Sequence, residues 1–308
     1  MRIPRLITAA ICLLVACVRP PAERRGSAGT RSDASRSPDG FPGERLATHF
    51  AVIGDYGLAG PNEASVAALV AAFAPDFVLT LGDNNYFYGG ADTIDDNVGQ
   101  YYHQYIGGYQ GSYGAGADQN RFFASLGNHD WMTPGAQPYL EYFQLPGNGR
   151  YYDVAQGDVH LFALDSDPSE PDGVDVDSIQ AAWLRTTLAA AAEPWKVVYM
   201  HHPAYSSGPH GSTAYMQWPF KDWGASLVLA GHDHLYEHLE KDGLTYLVDG
   251  VGGAETYAFM TPIEGSLVRY TSGFGALLID ADSSLLRARF YDVSYRLVDE
   301  LTLSVADQ

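Results

Sequence analysis

Cysteine is almost missing from this 308-residue chain: there are two, Cys12 and Cys17, and both stand at its start. Everything beyond them is therefore without disulfides and without a thiolate metal site, and a core of this size needs no cross-links. Positive charge is nearly as scarce. Residues 46–308 carry 10 basic against 33 acidic side chains, a formal −23, while residues 1–45 hold eight of the 18 Lys and Arg with four acids. Such a body repels nucleic acid and anionic membrane surfaces, and an anionic substrate would imply bound metal that reverses the sign locally. Long apolar runs are missing too: the stretch from Leu6 to Val18 has 13 residues, short of the roughly 20 that span a bilayer.

That stretch follows Arg2 and Arg5, the pattern of a signal peptide. Leu14-Val15-Ala16-Cys17 resembles a bacterial lipobox, whose cysteine is lipidated and becomes the mature N-terminus. Ordinary signal-peptidase cleavage nearby and an uncleaved anchor are the alternatives. The expectation is a signal peptide of lipoprotein type over residues 1–17 and an exported body, held in the bacterial cell envelope by lipid on Cys17 or released to the periplasm or outside. Residues 18–45, rich in Pro, Arg, Ser and Gly, read as a disordered tether, and 46–308 as the folded domain.

From residue 46 strand and helix signals alternate. "HFAVIGD" (49–55) is an apolar run ending in Gly-Asp, "PNEASVAALVAAFA" (61–74) has Pro at its start and helical spacing, and "FVLTLGD" (77–83) is a second buried strand. This is a βαβ unit, which implies parallel strands under helical cover and an α/β fold. "RFFASLGNHD" (121–130), a helix near 177–192, "KVVYMHHP" (196–203) and "GASLVLAGHDH" (224–234) follow, and the last 70 or so residues read as antiparallel strands.

Five of these strands end in polar side chains: Gly54-Asp55-Tyr56-Gly57, Gly82-Asp83-Asn84-Asn85-Tyr86, Gly127-Asn128-His129-Asp130, Val198-Tyr199-Met200-His201 and Gly231-His232-Asp233-His234. Strand C-terminal edges are where open α/β sheets bind ligands. A single strand-ending Asp is usually a turn former or helix cap, and a lone His usually a structural residue. Five in one chain point instead to Asp, His and Asn oxygen and nitrogen ligands suited to Fe, Mn or Zn. In an extended segment His232 and His234 share one face and Asp233 points away. A carboxylate can join two cations, and Asp83 is the expected bridge.

In order and spacing these motifs resemble those of the calcineurin-like metallophosphoesterases over about residues 48–236, and more narrowly those of the purple acid phosphatases of the small, tartrate-resistant type. Most of the superfamily opens with Asp-x-His; here Asp55-Tyr56-Gly57 lacks that histidine. The purple acid phosphatases replace it with a tyrosine three residues after the bridging aspartate, the position of Tyr86. The resemblance implies a four-layer α/β/β/α sandwich of two mixed sheets flanked by helices, and hydrolysis of small phosphate monoesters by a metal-activated hydroxide. It implies a ferric ion on Asp55, Asp83, Tyr86 and His234, and a divalent ion (Fe, Zn or Mn) on Asp83, Asn128, His201 and His232. It also implies a catalytic His129 held by Asp130, and a second substrate-side histidine at His210. His202 is expected to pack, and His49, His103, His160 and His238 receive no role. A phosphodiesterase or nucleotidase of the wider superfamily and a non-catalytic metal- or phosphate-binding envelope protein are the rivals. The segment "YIGGYQGSYGAGADQN" (105–120) matches nothing specific, and the acidic "DSDPSEPDGVDVD" (165–177) reads as a solvated loop, with calcium binding the alternative.

Overall fold

Thr48–Ile53 forms β1, and all six of its side chains are buried. A strand at one face of a core alternates between apolar and polar; one covered on both sides does not, and β1 lies inside a sheet that is itself covered on both sides. The computed structural model describes residues 45–307. The signal peptide, Cys17 and all of the tether but Arg45 lie outside the described residues. Among the described residues no helix is long and apolar enough to cross a membrane.

After β1 come α1 (Pro61–Phe73), β2 (Phe77–Thr80), a π-type turn at Asp95–Gly99 running into α2 (Gln100–Tyr102), β3 (Phe122–Ala124) and α3 (Gln137–Tyr142). The second half holds β4 (Tyr152–Gln156), β5 (Val159–Ala163), α4 (Ile179–Ala190), β6 (Trp195–Tyr199), α5 (Phe220–Trp223) and β7 (Leu227–Ala230). It closes with β8 (Tyr236–Lys241), β9 (Leu244–Asp249), β10 (Ser266–Tyr270), β11 (Gly275–Ala281), β12 (Leu285–Asp292) and β13 (Leu297–Ser304). The first helix starts on Pro61, whose missing N–H costs nothing at that position, and stops where Ala74 turns left-handed (φ 49°). It buries Val66, Leu69, Val70 and Phe73, one stripe at helical spacing. Ser178 caps α4, its hydroxyl accepting the Ala181 N–H at 3.1 Å.

The strands make two mixed sheets, ordered β13-β12-β11-β1-β2-β3 and β10-β8-β9-β7-β6-β5-β4. In the first, β1, β2 and β3 run parallel; in the second, β5, β6, β7 and β9 do. Three apolar clusters define the layers. One joins Phe50, Leu79 and Ile279 of the first sheet to Leu161, Val197 and Leu229 of the second. Another packs α1 to α3 on the first sheet through Leu69, Phe73, Tyr102 and Tyr139. The third packs α4 and α5 on the second through Leu184, Leu188 and Phe220. This is the expected four-layer α/β/β/α sandwich, and its parallel strands bring the ends of β1, β2, β3, β6 and β7 to one edge.

Two loops differ from a plain reading. Residues 165–177 are a solvated loop only in part: Asp165, Ser166, Asp167 and Glu170 are buried, while Pro168, Ser169, Pro171, Asp175, Val176 and Asp177 are exposed. Arg150 accounts for the burial of Glu170, since its guanidinium donates to Glu170 at 2.8 Å and to Asp172 at 3.2 Å, while Asp165 accepts Trp131 Nε1 at 3.0 Å. The Gly- and Tyr-rich segment 105–120 is pinned over the π-type turn, where Asp95 accepts Tyr109 Oη at 2.6 Å and the Ser112 N–H at 2.8 Å.

Behind the site, buried Asp280 on β11 takes a hydrogen bond from His49 on β1 (2.6 Å) and pairs with buried Arg289 on β12. Burial alone would raise the Asp280 pKa, but the His49 hydrogen bond and the charges of His49, Arg289 and Arg287 hold it below the usual carboxylate range. Asp280→Ala leaves Arg289 buried without this partner and is expected to cost about 3–5 kcal/mol in urea denaturation at pH 7. A carboxylate with a depressed folded pKa stabilises above its unfolded value and loses that contribution as pH falls, so the gap to wild type should close only below about pH 4.

Candidate metal centre

Where β1, β2 and β7 end, the chain turns through left-handed backbone at Asp55 (φ 53°), Asp83 (φ 52°) and His232 (φ 70°). Asp and His enter this region more readily than most residues, and such conformations persist where the surroundings over-determine them. Here the turns throw three polar side chains off strand ends toward one another. Gly82 (φ 88°) makes a close approach possible: a Cβ there would stand 2.6 Å from His201 Nδ1.

Two groups of donor atoms result. In the first, Tyr86 Oη lies 2.9 Å from Asp83 Oδ2, 3.2 Å from Asp55 Oδ1 and 3.1 Å from His234 Nε2, and His234 Nε2 is 3.2 Å from Asp55 Oδ1. In the second, His201 Nε2 lies 3.0 Å from Asn128 Oδ1, 3.1 Å from His232 Nδ1 and 3.4 Å from Asp83 Oδ1. Asp83 thus has one oxygen in each group. The structure brings together all seven residues expected as ligands.

Backbone carbonyls set the imidazoles. His201 Nδ1 donates to Leu81 O at 2.8 Å and His234 Nδ1 to Glu255 O at 2.6 Å. A carbonyl can only accept, so both Nε2 atoms are turned into the cluster, the outer arrangement that orients metal-binding histidines. Asp55 Oδ2 accepts the His232 N–H at 2.8 Å.

The groups are rich in acceptors and almost fully buried, and their carboxylates and two of the imidazoles favour each other's charged forms. Burial would lower the pKa of His201 and His234, but the carboxylates of Asp83 and Asp55 raise His201, and that of Asp55 raises His234. Burial would raise Asp55, yet His234 and His201 hold it below its ordinary value. Burial, then the charges of Asp83 and Asp55, push the Tyr86 phenol well above 10. Burial, then His201 and the neighbouring rings, keep His232 neutral. Carboxylate, imidazole, amide and phenol oxygen form a donor set that suits a hard trivalent ion in the first group and a borderline divalent one in the second.

His129 stands beside these groups. Its N–H donates to Asp83 Oδ1 at 2.9 Å, its Nδ1 donates to Phe87 O at 2.7 Å, and its ring packs 4.4 Å from that of Tyr86. The expectation that Asp130 holds it is corrected. Asp130 faces the interior, where its Oδ2 accepts the Gly127 N–H and Asn84 Nδ2, each at 2.8 Å. Burial, then the charge of Asp83, lift the Asp130 pKa to about 7. Asp130 therefore braces the turn that carries Asn128, and the Phe87 carbonyl holds His129. Asp233 points away from the groups, accepting Ser206 Oγ at 2.5 Å and the His210 N–H at 3.0 Å. That bond places exposed His210 with its ring 4.3 Å from His232. His202 packs on His232 and Ser166, and burial holds it neutral with a pKa of about 3.

Sequence reasoning missed two contributors. Asn84 is a hub, accepting from Tyr56 Oη (2.9 Å) and Thr80 Oγ1 (2.7 Å) while donating to Ser125 O and Asp130; its place inside the second motif was the signal. Tyr257 stacks on His234 at 4.2 Å and 6°, and nothing in its surrounding sequence marks it.

A family model described as calcineurin-like phosphoesterase matches residues 48–236. The chain is 24% identical over 265 residues to human tartrate-resistant acid phosphatase type 5, covering 76% of this chain and 77% of that protein. It is 28% identical over 280 residues to purple acid phosphatase 17 of Arabidopsis thaliana, covering 79% and 80%. Purple acid phosphatase PPD1 from yellow lupin (Lupinus luteus) seeds shares the fold with a TM-score of 0.68 at 18% identity; the match covers 86% of this chain but only 55% of the lupin chain.

Gly82→Ala should disturb His201 without unfolding the protein, lowering metal affinity roughly 10–100-fold, the scale for losing an orienting contact. Gly135→Ala is the control: it shares the positive φ but has open space around it. Chelator competition on both variants, with circular dichroism to verify folding, checks this.

Proposed function

Because the chain belongs to the calcineurin-like phosphoesterase family, we propose that it is a phosphate monoesterase of the purple acid phosphatase kind, working with two metal ions. One observation carries the narrower reading. Asp55-Tyr56-Gly57 has no histidine to offer, and Tyr86 Oη comes within 3.2 Å of Asp55, Asp83 and His234. A phenol replaces an imidazole there. In this reading Asp55, Asp83, Tyr86 and His234 hold Fe(III), and Asp83, Asn128, His201 and His232 hold iron, zinc or manganese in the divalent state. When bound, the two cations would lower the pKa of a bound water, offset the phosphoryl charge and stabilise the charge that develops on its oxygens.

The chain's own groups do the rest. Buried Asp83 fixes the spacing of the two groups, and its Oδ1 anchors the His129 backbone. His129 keeps hydrogen on Nδ1 because Phe87 O can only accept, which leaves Nε2 to carry a proton to the leaving oxygen. His210, placed by Asp233, lies against His232 at the rim and can hold a phosphoryl oxygen. The body's formal −23 agrees with a site whose attraction for an anion comes from bound cations. The N-terminal sequence supports export, with lipid on Cys17 and residues 18–45 as a tether.

Hydrolysis of 4-nitrophenyl phosphate by metal-replete protein, well above that of the bis ester, tests the monoesterase reading; no turnover of either would favour a binding protein. His129→Ala should retain both metals in elemental analysis and lose about 100-fold or more in kcat; a variant emptied of metal would contradict the role. Iron-loaded wild type should show a visible phenolate-to-iron band. Tyr86→Phe is expected to abolish it, while Tyr56→Phe and Tyr88→Phe keep it.

A further inference from the structure

His210 is exposed, and a side chain so placed points where its backbone sends it. The backbone from Tyr205 to His210 is held by two carboxyl groups, both fully buried. One is Asp233, which accepts Ser206 Oγ and the His210 N–H. The other is Glu237 on β8, which stands outside the five strand-end motifs. Its Oε2 accepts the Ser207 N–H at 2.7 Å, and its Oε1 accepts Ser207 Oγ at 2.6 Å and Ser266 Oγ. Ser207 is also tied to a second loop, its carbonyl accepting the Met260 N–H at 2.9 Å and its Oγ the Ile263 N–H at 3.0 Å. A buried acid given over to these loops needs a reason, since burying a carboxyl group costs free energy that its hydrogen bonds only offset.

The geometry supplies one. Two residues, Gly208 and Pro209, separate Ser207 from His210. A Cβ on Gly208 would stand 2.2 Å from Asp233 Cγ, and the ring of Pro209 fixes its φ. A span this short and this constrained passes the position of Ser207 on to His210. The second loop closes on the same wall, where the Tyr257 ring lies 5.6 Å from that of His210 and stacks on His234. Glu237 thus joins two loops, one carrying His210 against His232 and the other carrying Tyr257 against His234.

We infer that Glu237 is a positioning residue: through Ser207 it sets His210 where the imidazole can hold a phosphoryl oxygen. The inference rests on the monoesterase reading and on the place of His210 in it. His210 would hold that oxygen before and during transfer alike, so its misplacement should appear in KM and in inhibition by inorganic phosphate, with kcat retained.

The test compares Glu237→Ala, Glu237→Gln, Ser207→Ala and His210→Ala with wild type, all metal-replete. Turnover of 4-nitrophenyl phosphate and inhibition by inorganic phosphate are measured, with circular dichroism and elemental analysis on each protein. Glu237→Ala leaves the Ser207 N–H without its acceptor and should raise KM and the phosphate inhibition constant about 10-fold, the scale of one buried donor left unpaired. Both metals should stay. Glu237→Gln should restore most of the affinity, because its amide oxygen can take the Ser207 N–H and both serine hydroxyls can accept as well as donate. Ser207→Ala, which removes the hydroxyl and keeps the N–H, should act in the same direction and decides the question if Glu237→Ala does not fold. In a His210→Ala background Glu237→Ala should add little, since both act through one contact. Unchanged KM in folded Glu237→Ala, or in Ser207→Ala where the former does not fold, overturns the inference and leaves the monoesterase reading in place. So do effects that add to those of His210→Ala, a Gln variant as impaired as the Ala variant, loss of metal, or a fall in kcat at constant KM. Wild type that does not hydrolyse 4-nitrophenyl phosphate overturns the monoesterase reading, and the inference with it.

Discussion

Two buried carboxylates with oxygens within 4.8 Å of one another are the constraint from which the rest of the architecture follows. Asp55 and Asp83 are almost wholly removed from water in a body of formal −23, and Tyr86 Oη lies between them. Charges placed so are tolerable only if protons or cations answer them. The neighbouring groups favour each other's charged forms: the carboxylates raise His201 and His234 and the same imidazoles lower Asp55. Metal binding at such a site must release protons, the phenolic one included, which couples affinity to pH.

The sandwich can be read as the means of holding that arrangement. Parallel strands from two sheets deliver side chains to one edge, left-handed turns at Asp55, Asp83 and His232 aim them, and the carbonyls of Leu81 and Glu255 fix two imidazoles. The apolar layer between the sheets, with Leu79, Val197 and Leu229, lies directly beneath these turns. Small displacements in that layer would be felt at the donor atoms, because packed interiors transmit strain.

Much of this was legible in the sequence, for a physical reason. Strands buried on both faces read as unbroken apolar runs, so a Gly-Asp or Gly-Asn at the end of one stands out, and Tyr86 stood at a diagnostic distance from Asp83. The architecture and the meeting of the seven expected ligand residues could be anticipated from those motifs. What could not be read was whatever depends on backbone groups or on the direction of one side chain. Any residue has a carbonyl, so Phe87 and Glu255 carry no signal, and Tyr257 lies in an irregular loop. The hold of Asp130 on His129 that the resemblance implies fails because Asp130 turns inward toward Gly127 and Asn84. The burial of Glu170 within the acidic stretch 165–177 was hidden because its partner, Arg150, is some 20 residues away in sequence.

The central claim is that Asp83 joins two metal sites of different hardness, with Tyr86 on the iron side. Anomalous diffraction from crystals of the metal-replete protein, collected across the iron edge, tests it directly. The account predicts two anomalous peaks, one among Asp55, Tyr86 and His234 that behaves as iron, the other among Asn128, His201 and His232, with Asp83 between them. A single peak, or two of which neither adjoins Tyr86, would contradict it.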